Sequence, residues 1–265
     1  MMNKTCISLF LISCLMFTAD NTLASERSEK IISAGEIKVC IWPDYFAISY
    51  RNPRTGELEG IDIDMAHALA NRLGVKLTFV PSSFSKLIDN MSNNACDIAM
   101  HAIGVRHNRK PFMEFSQPYL ASGIYAVATK HNTRVRSWHD IDQPGVVVVV
   151  QKGTYMEPVV KAKFKNADIT VVDSFKAREQ EVLSGRADVF MGDYPYGKRM
   201  VELTKWAALL APDKPFAKTD YAYAVPKGEV DWLHEVDAFL EEMKASGMLR
   251  KYAQKNGLTE ILVTD

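Results

Sequence analysis

The chain has 265 residues, with 32 Lys and Arg balanced by 32 Asp and Glu, so no overall field draws it to nucleic acid or to an anionic membrane surface. Hydrophobic residues at 47% and aromatic residues at 10% are the composition of a globular protein and exclude a disordered one. Roughly 240 residues follow the first two dozen, enough for one large domain or two lobes.

In chain order, the opening "MMNKTCISLFLISCLMFTADNTLASERSEK" sets Lys4 before an apolar run from Ile7 to Phe17, with small residues at Thr22 and Ala24. This reads as a secretory signal peptide over 1–24, cleaved after Ala24. A lipoprotein site at Cys14 is the weaker reading, because it would leave Leu15, Met16 and Phe17 behind the cysteine. No later segment is long and apolar enough for a membrane helix, so the expectation is an exported, soluble protein in the periplasm. Cys6 and Cys14 would leave with the signal, while Cys40 and Cys96 stay in a compartment that permits disulfides. They bond only if their Cα atoms come within about 7 Å. The residues alone favour two buried thiols.

"EIKVCIW" (36–42) predicts a strand and "IDIDMAHALANRLG" (61–74) a helix, with Asp62 near its start, Met65, Leu69 and Leu73 on one face and Gly74 as the stop. A strand at 75–80, a short helix at 84–91 and a strand at 96–103 complete a βαβαβ run. The rhythm repeats with strands at 123–130, 145–150, 167–172 and 187–193 and a helix at 174–185. The valine run at 146–150 suits a strand buried on both faces. A last strand at 221–227 precedes two helices over 230–257, broken near Gly247.

The pattern predicts an α/β protein of two lobes, each a mostly parallel sheet flanked by helices, with a ligand cleft between them. Ligands in such sheets bind at the carboxyl ends of strands. The strand at 96–103 ends in "GVRHNRK", so Arg106 and Arg109 leave from that end, where a guanidinium can grip a carboxylate in bidentate fashion. Trp42, Gly153 with Thr154, and Asp193 end other strands and would converge there.

Five blocks in order carry a resemblance over Glu36 to Gly257: "GELEGIDIDMAHALANRLG", "NNACDIAM", "RKPFMEFSQPY", "VVVQKGT" and "SGRADVFMGDYPYG". Together they resemble the type II periplasmic solute-binding proteins of the polar amino acid family. The resemblance implies lobe one over 25–120, lobe two over 121–225 and a return to lobe one over 226–265. It also implies that Arg109 holds a ligand carboxylate and Asp193 an amine, although Asp193 could simply cap the helix after it. Trp42, Tyr45 and Phe84 would bracket the ligand side chain, with Ala102, Gly104, Thr154 and Tyr155 completing the binding set. Gly104 and Arg106 stand where the family usually has Thr or Ser, and Arg106 adds a charge. His101, Arg106 and Tyr196 are outer candidates, His101 reading first as a structural histidine.

"IDQPGV" (141–146) and "KVCIWPDYFAISY" (38–50) are similar to the cyclohexadienyl dehydratase subgroup, which uses this fold as an enzyme. That subgroup's catalytic glutamate falls at Tyr196 here, and a phenol with a pKa of about 10 is a poor general acid at neutral pH. The expectation is therefore no enzyme but a monomeric receptor that passes an α-amino acid or related small carboxylate to a membrane ABC permease. The alternative is an exported dehydratase of prephenate or arogenate. The six histidines show no metal spacing, and G-x-S-x-G, P-loop and G-x-G-x-x-G motifs are absent, so neither metal nor cofactor is expected.

Overall fold

The computed structural model describes residues 26–264, and the signal-peptide reading and its rival at Cys14 lie outside them. The first part of the chain forms α1 (Glu26–Ala34), β1 (Glu36–Ile41), β2 (Asp44–Tyr45), β3 (Ser49–Arg51), β4 (Leu58–Glu59), α2 (Ile61–Leu73), β5 (Lys76–Pro81), α3 (Leu87–Ser92), β6 (Ile98–Gly104), β7 (Met113–Phe115) and β8 (Leu120–Ser122). A second group follows: β9 (Tyr125–Thr129), β10 (Val147–Gln151), α4 (Met156–Lys163), β11 (Asp168–Val172), α5 (Phe175–Leu183), β12 (Val189–Gly192), α6 (Tyr194–Leu203) and β13 (Ala207–Leu210). The chain then returns through β14 (Thr219–Pro226), α7 (Val230–Ala245) and α8 (Met248–Lys255). Among the described residues no helix is long and apolar enough to cross a membrane.

Two lobes result, each built on a mixed sheet. The first has the order β5-β1-β6-β14-β7, with β8 also on β14; the second has β11-β10-β12-β9-β13. Both keep a parallel core, β5-β1-β6 and β11-β10-β12. Antiparallel strands are added beside each: β14 against β6 in one, β9 and β13 in the other. The valines of β10 lie between two parallel neighbours and are buried from Val148 to Val150, as their uniform apolar character requires.

The strand at 219–226, which the sequence division assigns to lobe two through residue 225, is hydrogen-bonded into the first sheet through Tyr221 opposite Gly104 and Ala222 opposite Ile103. Pairing partners decide a strand's lobe, and a single sequence does not display them. The chain thus crosses between sheets twice, after β8 and before β14. Behind β14, α7 and α8 pack back on the first lobe, where the buried Trp232 donates its indole N–H to the Asp97 carbonyl at 3.0 Å.

Local chemistry explains the element that supports the cleft. Gly60 precedes α2 with φ 131°, and a Cβ there would lie 2.3 Å from the Ile48 carbonyl oxygen, so only glycine fits. Gly74 closes the helix in the left-handed conformation at φ 68°. Inside the first turn, the buried Asp62 accepts from the Tyr119 hydroxyl at 2.7 Å, the Ala102 N–H at 2.9 Å and the Tyr223 hydroxyl at 3.2 Å. Ala102 takes φ 48°, and the β6–β14 register shifts between Ala222 and Ala224. A carboxylate at the start of a helix therefore captures a backbone donor from a kinked strand.

Cys40 and Cys96 are bonded, with Cα atoms 5.6 Å apart, against the expectation of free thiols. Cys40 lies in β1 and Cys96 just before its neighbour β6, so sheet pairing brings them into reach. Closing a loop across 56 residues removes chain entropy worth about 4 kcal/mol.

Candidate functional site

The carboxyl ends of the strands from both lobes meet around one cavity. It is lined by Tyr45, Phe84, Ala102, Gly104, Arg109, Thr154, Tyr155, Met156, Phe175, Arg178, Asp193 and Tyr221. Eight of the nine residues in the expected binding set are in this lining. The ninth, Trp42, stands behind it, its ring stacked on Phe175 at 4.5 Å and 9° and edge-on to Phe84 at 4.8 Å.

Arg109 follows β6 and is 4% exposed. Its Nη1 donates to the Gly104 carbonyl at 2.9 Å and its Nη2 to the Gly153 carbonyl at 3.3 Å, one oxygen from each lobe. Burial and the neighbouring Arg106 lower its pKa to about 9, which leaves it charged at neutral pH. A buried cation held only by neutral carbonyls suits an incoming carboxylate.

Asp193 lies at the junction of β12 and α6. Its Oδ1 caps the helix by accepting from the Tyr196 N–H at 3.2 Å, with Pro195 in the first turn. Its Oδ2 accepts from Tyr45, across the cleft, and from the Tyr221 hydroxyl at 3.0 Å. The capping function is thus present, and a second oxygen faces the cavity as well. Burial outweighs these hydrogen bonds and raises the Asp193 pKa.

The outer candidates sit elsewhere. His101 is buried behind Phe84, its Nδ1 3.4 Å from the Cys40 carbonyl, and burial lowers its pKa to about 3, so it is neutral. Arg106 lies at the cleft mouth, donating to the Thr154 carbonyl at 3.4 Å from outside the lining. Tyr196 is turned away behind Phe175, and its hydroxyl donates to Glu179. Phe175, Arg178, Met156 and Tyr221 line the cavity without having been expected there.

A guanidinium and a buried carboxyl facing one aromatic cavity between two α/β lobes accord with one known family. The profile of the bacterial extracellular solute-binding proteins, family 3, matches residues 37–259. The chain belongs to this family. Among its relatives, cyclohexadienyl dehydratase of Pseudomonas aeruginosa is 32% identical over 243 residues, covering 91% of this chain and 90% of the relative. The L-cystine-binding protein TcyJ of Escherichia coli K12 is 26% identical over 226 residues, covering 85% and 84%. Among solved structures, the ancestral amino acid-binding protein AncCDT-1, a precursor of cyclohexadienyl dehydratase, superposes with a TM-score of 0.78 at 31% identity, covering 86% of this chain and 98% of that one.

These likenesses correct one expectation. The reading that this family 3 protein is not an enzyme rested on Tyr196 alone, and it is overturned by an enzyme relative that matches across nine-tenths of both chains. The physical reason is that a reading from one position overlooks carboxyls placed by the fold: Asp193, buried in the same cavity, is a carboxyl that the expectation had given to an amine.

Proposed function

We propose that this family 3 protein is an exported, cyclohexadienyl dehydratase-like enzyme that closes its two lobes on a small cyclic carboxylate. The observation that carries this reading is the pairing of Arg109 with the buried Asp193 in one aromatic cavity. Arg109 anchors a carboxylate of the substrate. As the ring carboxylate leaves as carbon dioxide, the electron pair of its broken C–C bond enters the ring, which becomes aromatic as the ring hydroxyl departs; Asp193, in its protonated form, gives its proton to that hydroxyl, which leaves as water, and is then reprotonated from solvent. Tyr45 and Tyr221 orient the acid through its Oδ2. Likeness to a cyclohexadienyl dehydratase over nearly the whole chain supports the same reading.

A second reading has its own observation. Tyr196, which the resemblance to the dehydratase subgroup sets at its glutamate position, gives its hydroxyl to Glu179 and away from the cavity. With Asp193 ionised against an ammonium, the same cleft would hold an α-amino acid for a membrane ABC permease in the periplasm, and the family's amino acid-binding relatives support this.

Incubation of the purified protein with prephenate and arogenate, following phenylpyruvate and phenylalanine, separates the two. Turnover that falls by about 10²- to 10⁴-fold in Asp193→Asn is the expected result. No product from either substrate, together with saturable stabilisation by an amino acid, would overturn the enzyme in favour of the receptor.

A further inference from the structure

Arg178 is the charged group of the cavity that neither reading uses. It sits on α5 and is 1% exposed, yet it lines the cavity beside Asp193. Its Nη1 donates to the Met191 carbonyl at 2.6 Å, while Nε and Nη2 have no hydrogen-bond partner. Three rings surround the guanidinium, Tyr196 at 4.4 Å, Phe190 at 4.5 Å and Phe175 at 4.7 Å. These attract its charge, and of the three only Tyr196 carries an oxygen that interacts with the guanidinium, an oxygen already bonded to Glu179. The nearby acids are engaged elsewhere: Glu179 with the Tyr196 hydroxyl and Arg199, and Asp193 with Tyr45, Tyr221 and the Tyr196 N–H. Arg109, in the same lining, is likewise bonded only to carbonyls.

The charges then constrain the ligand. Two guanidinium groups and one carboxyl line the cavity. If Asp193 is ionised the excess is one positive charge, and if it is protonated the excess is two. A zwitterionic amino acid with a neutral side chain cancels neither. An amino dicarboxylate cancels the first and a dicarboxylate without an amine cancels the second; a monocarboxylate without an amine also cancels the first, but it leaves one of the two guanidinium groups without an acidic partner, which the two-acid compounds do not. Buried charge without a partner is strongly disfavoured, so the cavity selects for the second acid.

We propose that Arg178 is a specificity-determining residue that reads a second acidic group, so that the cleft selects compounds with two carboxylates over those with one. The proposal rests on the Arg109 and Asp193 site above and adds a second anionic contact to it.

The test is a selectivity ratio measured by calorimetry and thermal shift on the full mature chain. The probes are acid and amide pairs, L-glutamate with L-glutamine and L-aspartate with L-asparagine, together with the dicarboxylate prephenate against the monocarboxylate phenylpyruvate. The wild-type protein is expected to favour the two-acid member of at least one pair by about tenfold or more, the size of a charged hydrogen-bond contact. Arg178→Gln should bring that ratio near one, and Arg178→Lys, which keeps the charge but loses the planar fork, should retain part of it. Arg109→Ala should weaken both members of every pair. A purely structural Arg178 would lower the melting temperature of the variants and leave the ratio intact, which would overturn the proposal. So would a wild-type protein that favours the one-acid members or is stabilised by no two-acid probe, a measurement that needs no variant to fold. If ratios stay fixed while Arg109→Ala still abolishes binding, the role of Arg178 fails and the underlying site stands.

Discussion

Arg109 and Asp193 show how one side chain acquires a role from its surroundings. Arg109 is bonded to a carbonyl from each lobe, so a carboxylate joining it is gripped where the lobes meet. Removing one partner of a buried charged pair costs about 2 to 5 kcal/mol, so Arg109→Ala should weaken ligand binding by about 30-fold or more. Arg109→Lys should recover only part of that, since the ammonium lacks the bidentate fork. Calorimetry with unchanged affinity in the alanine variant would remove Arg109 from the site. Asp193 stood out in the sequence as the end of an apolar strand, whereas Arg109, five residues past the end of β6, stood out through the family-like block "RKPFMEFSQPY" and by position alone would read as a surface loop residue. Phe175 and Arg178 were not, because "FKAREQEVL" reads as a solvated helix, with Lys176, Glu179 and Gln180 around the arginine. Only the packing of three rings on Arg178 reveals that it faces inward.

At the scale of an element, β6 brings together two buried groups with opposing titrations. Asp62, bonded to Ala102 of this strand, has its pKa raised from 3.8 to about 7 by burial, so the native state keeps a proton that the unfolded chain loses. Its contribution to stability is complete below pH 3.8 and is lost as the pH rises towards 7. His101, the preceding residue, is lowered from 6.5 to about 3, so its contribution is complete above 6.5 and is lost as the pH falls. Each gives a slope of about 1.4 kcal/mol per pH unit, with opposite signs, and between roughly pH 4 and 6.5 they offset one another. Asp62→Asn should therefore make the protein lose stability on acidification across that range. His101→Gln should make it lose stability as the pH rises instead. Urea unfolding at pH 4, 5, 6 and 7 measures both, and parallel profiles for parent and variants would contradict the pairing. None of this is readable from "IDIDMA" or "MHAIG", since burial on that scale belongs to the assembled sheet.

Across the whole molecule, the alternation of strands and helices sufficed to predict two α/β lobes, because hydrophobic period is a local property. The small sheet β2-β3-β4, the antiparallel additions and the lobe membership of β14 depend on partners far away in the chain, and the sequence rhythm does not encode them. The two crossings between sheets matter for motion, since lobes joined by a pair of strands turn about that pair as a hinge. Trp42 on one lobe stacks on Phe175 of the other, and Tyr45 bonds Asp193 across the same gap. Phe175→Ala removes a ring pair worth about 0.5 to 1.5 kcal/mol beyond its buried area and should open the lobes. Small-angle scattering should then report a larger radius of gyration than for the parent; an identical radius would mean that the stack has no part in closure.

Ala102, left-handed at φ 48° and one of the residues that line the cavity, has a consequence for how this protein could be altered. Glycine would adopt that backbone at a saving of about 1 kcal/mol, so alanine here is a standing sacrifice of robustness. What we expect it to gain is bulk, one methyl group at a position in the wall of the chamber where the ligand must fit. A search for hardier variants would favour glycine at this position early, and the hardier protein would be the less discriminating one, accepting larger guests beside Arg109. Thermal tolerance and choosiness are set against each other at this one Cβ.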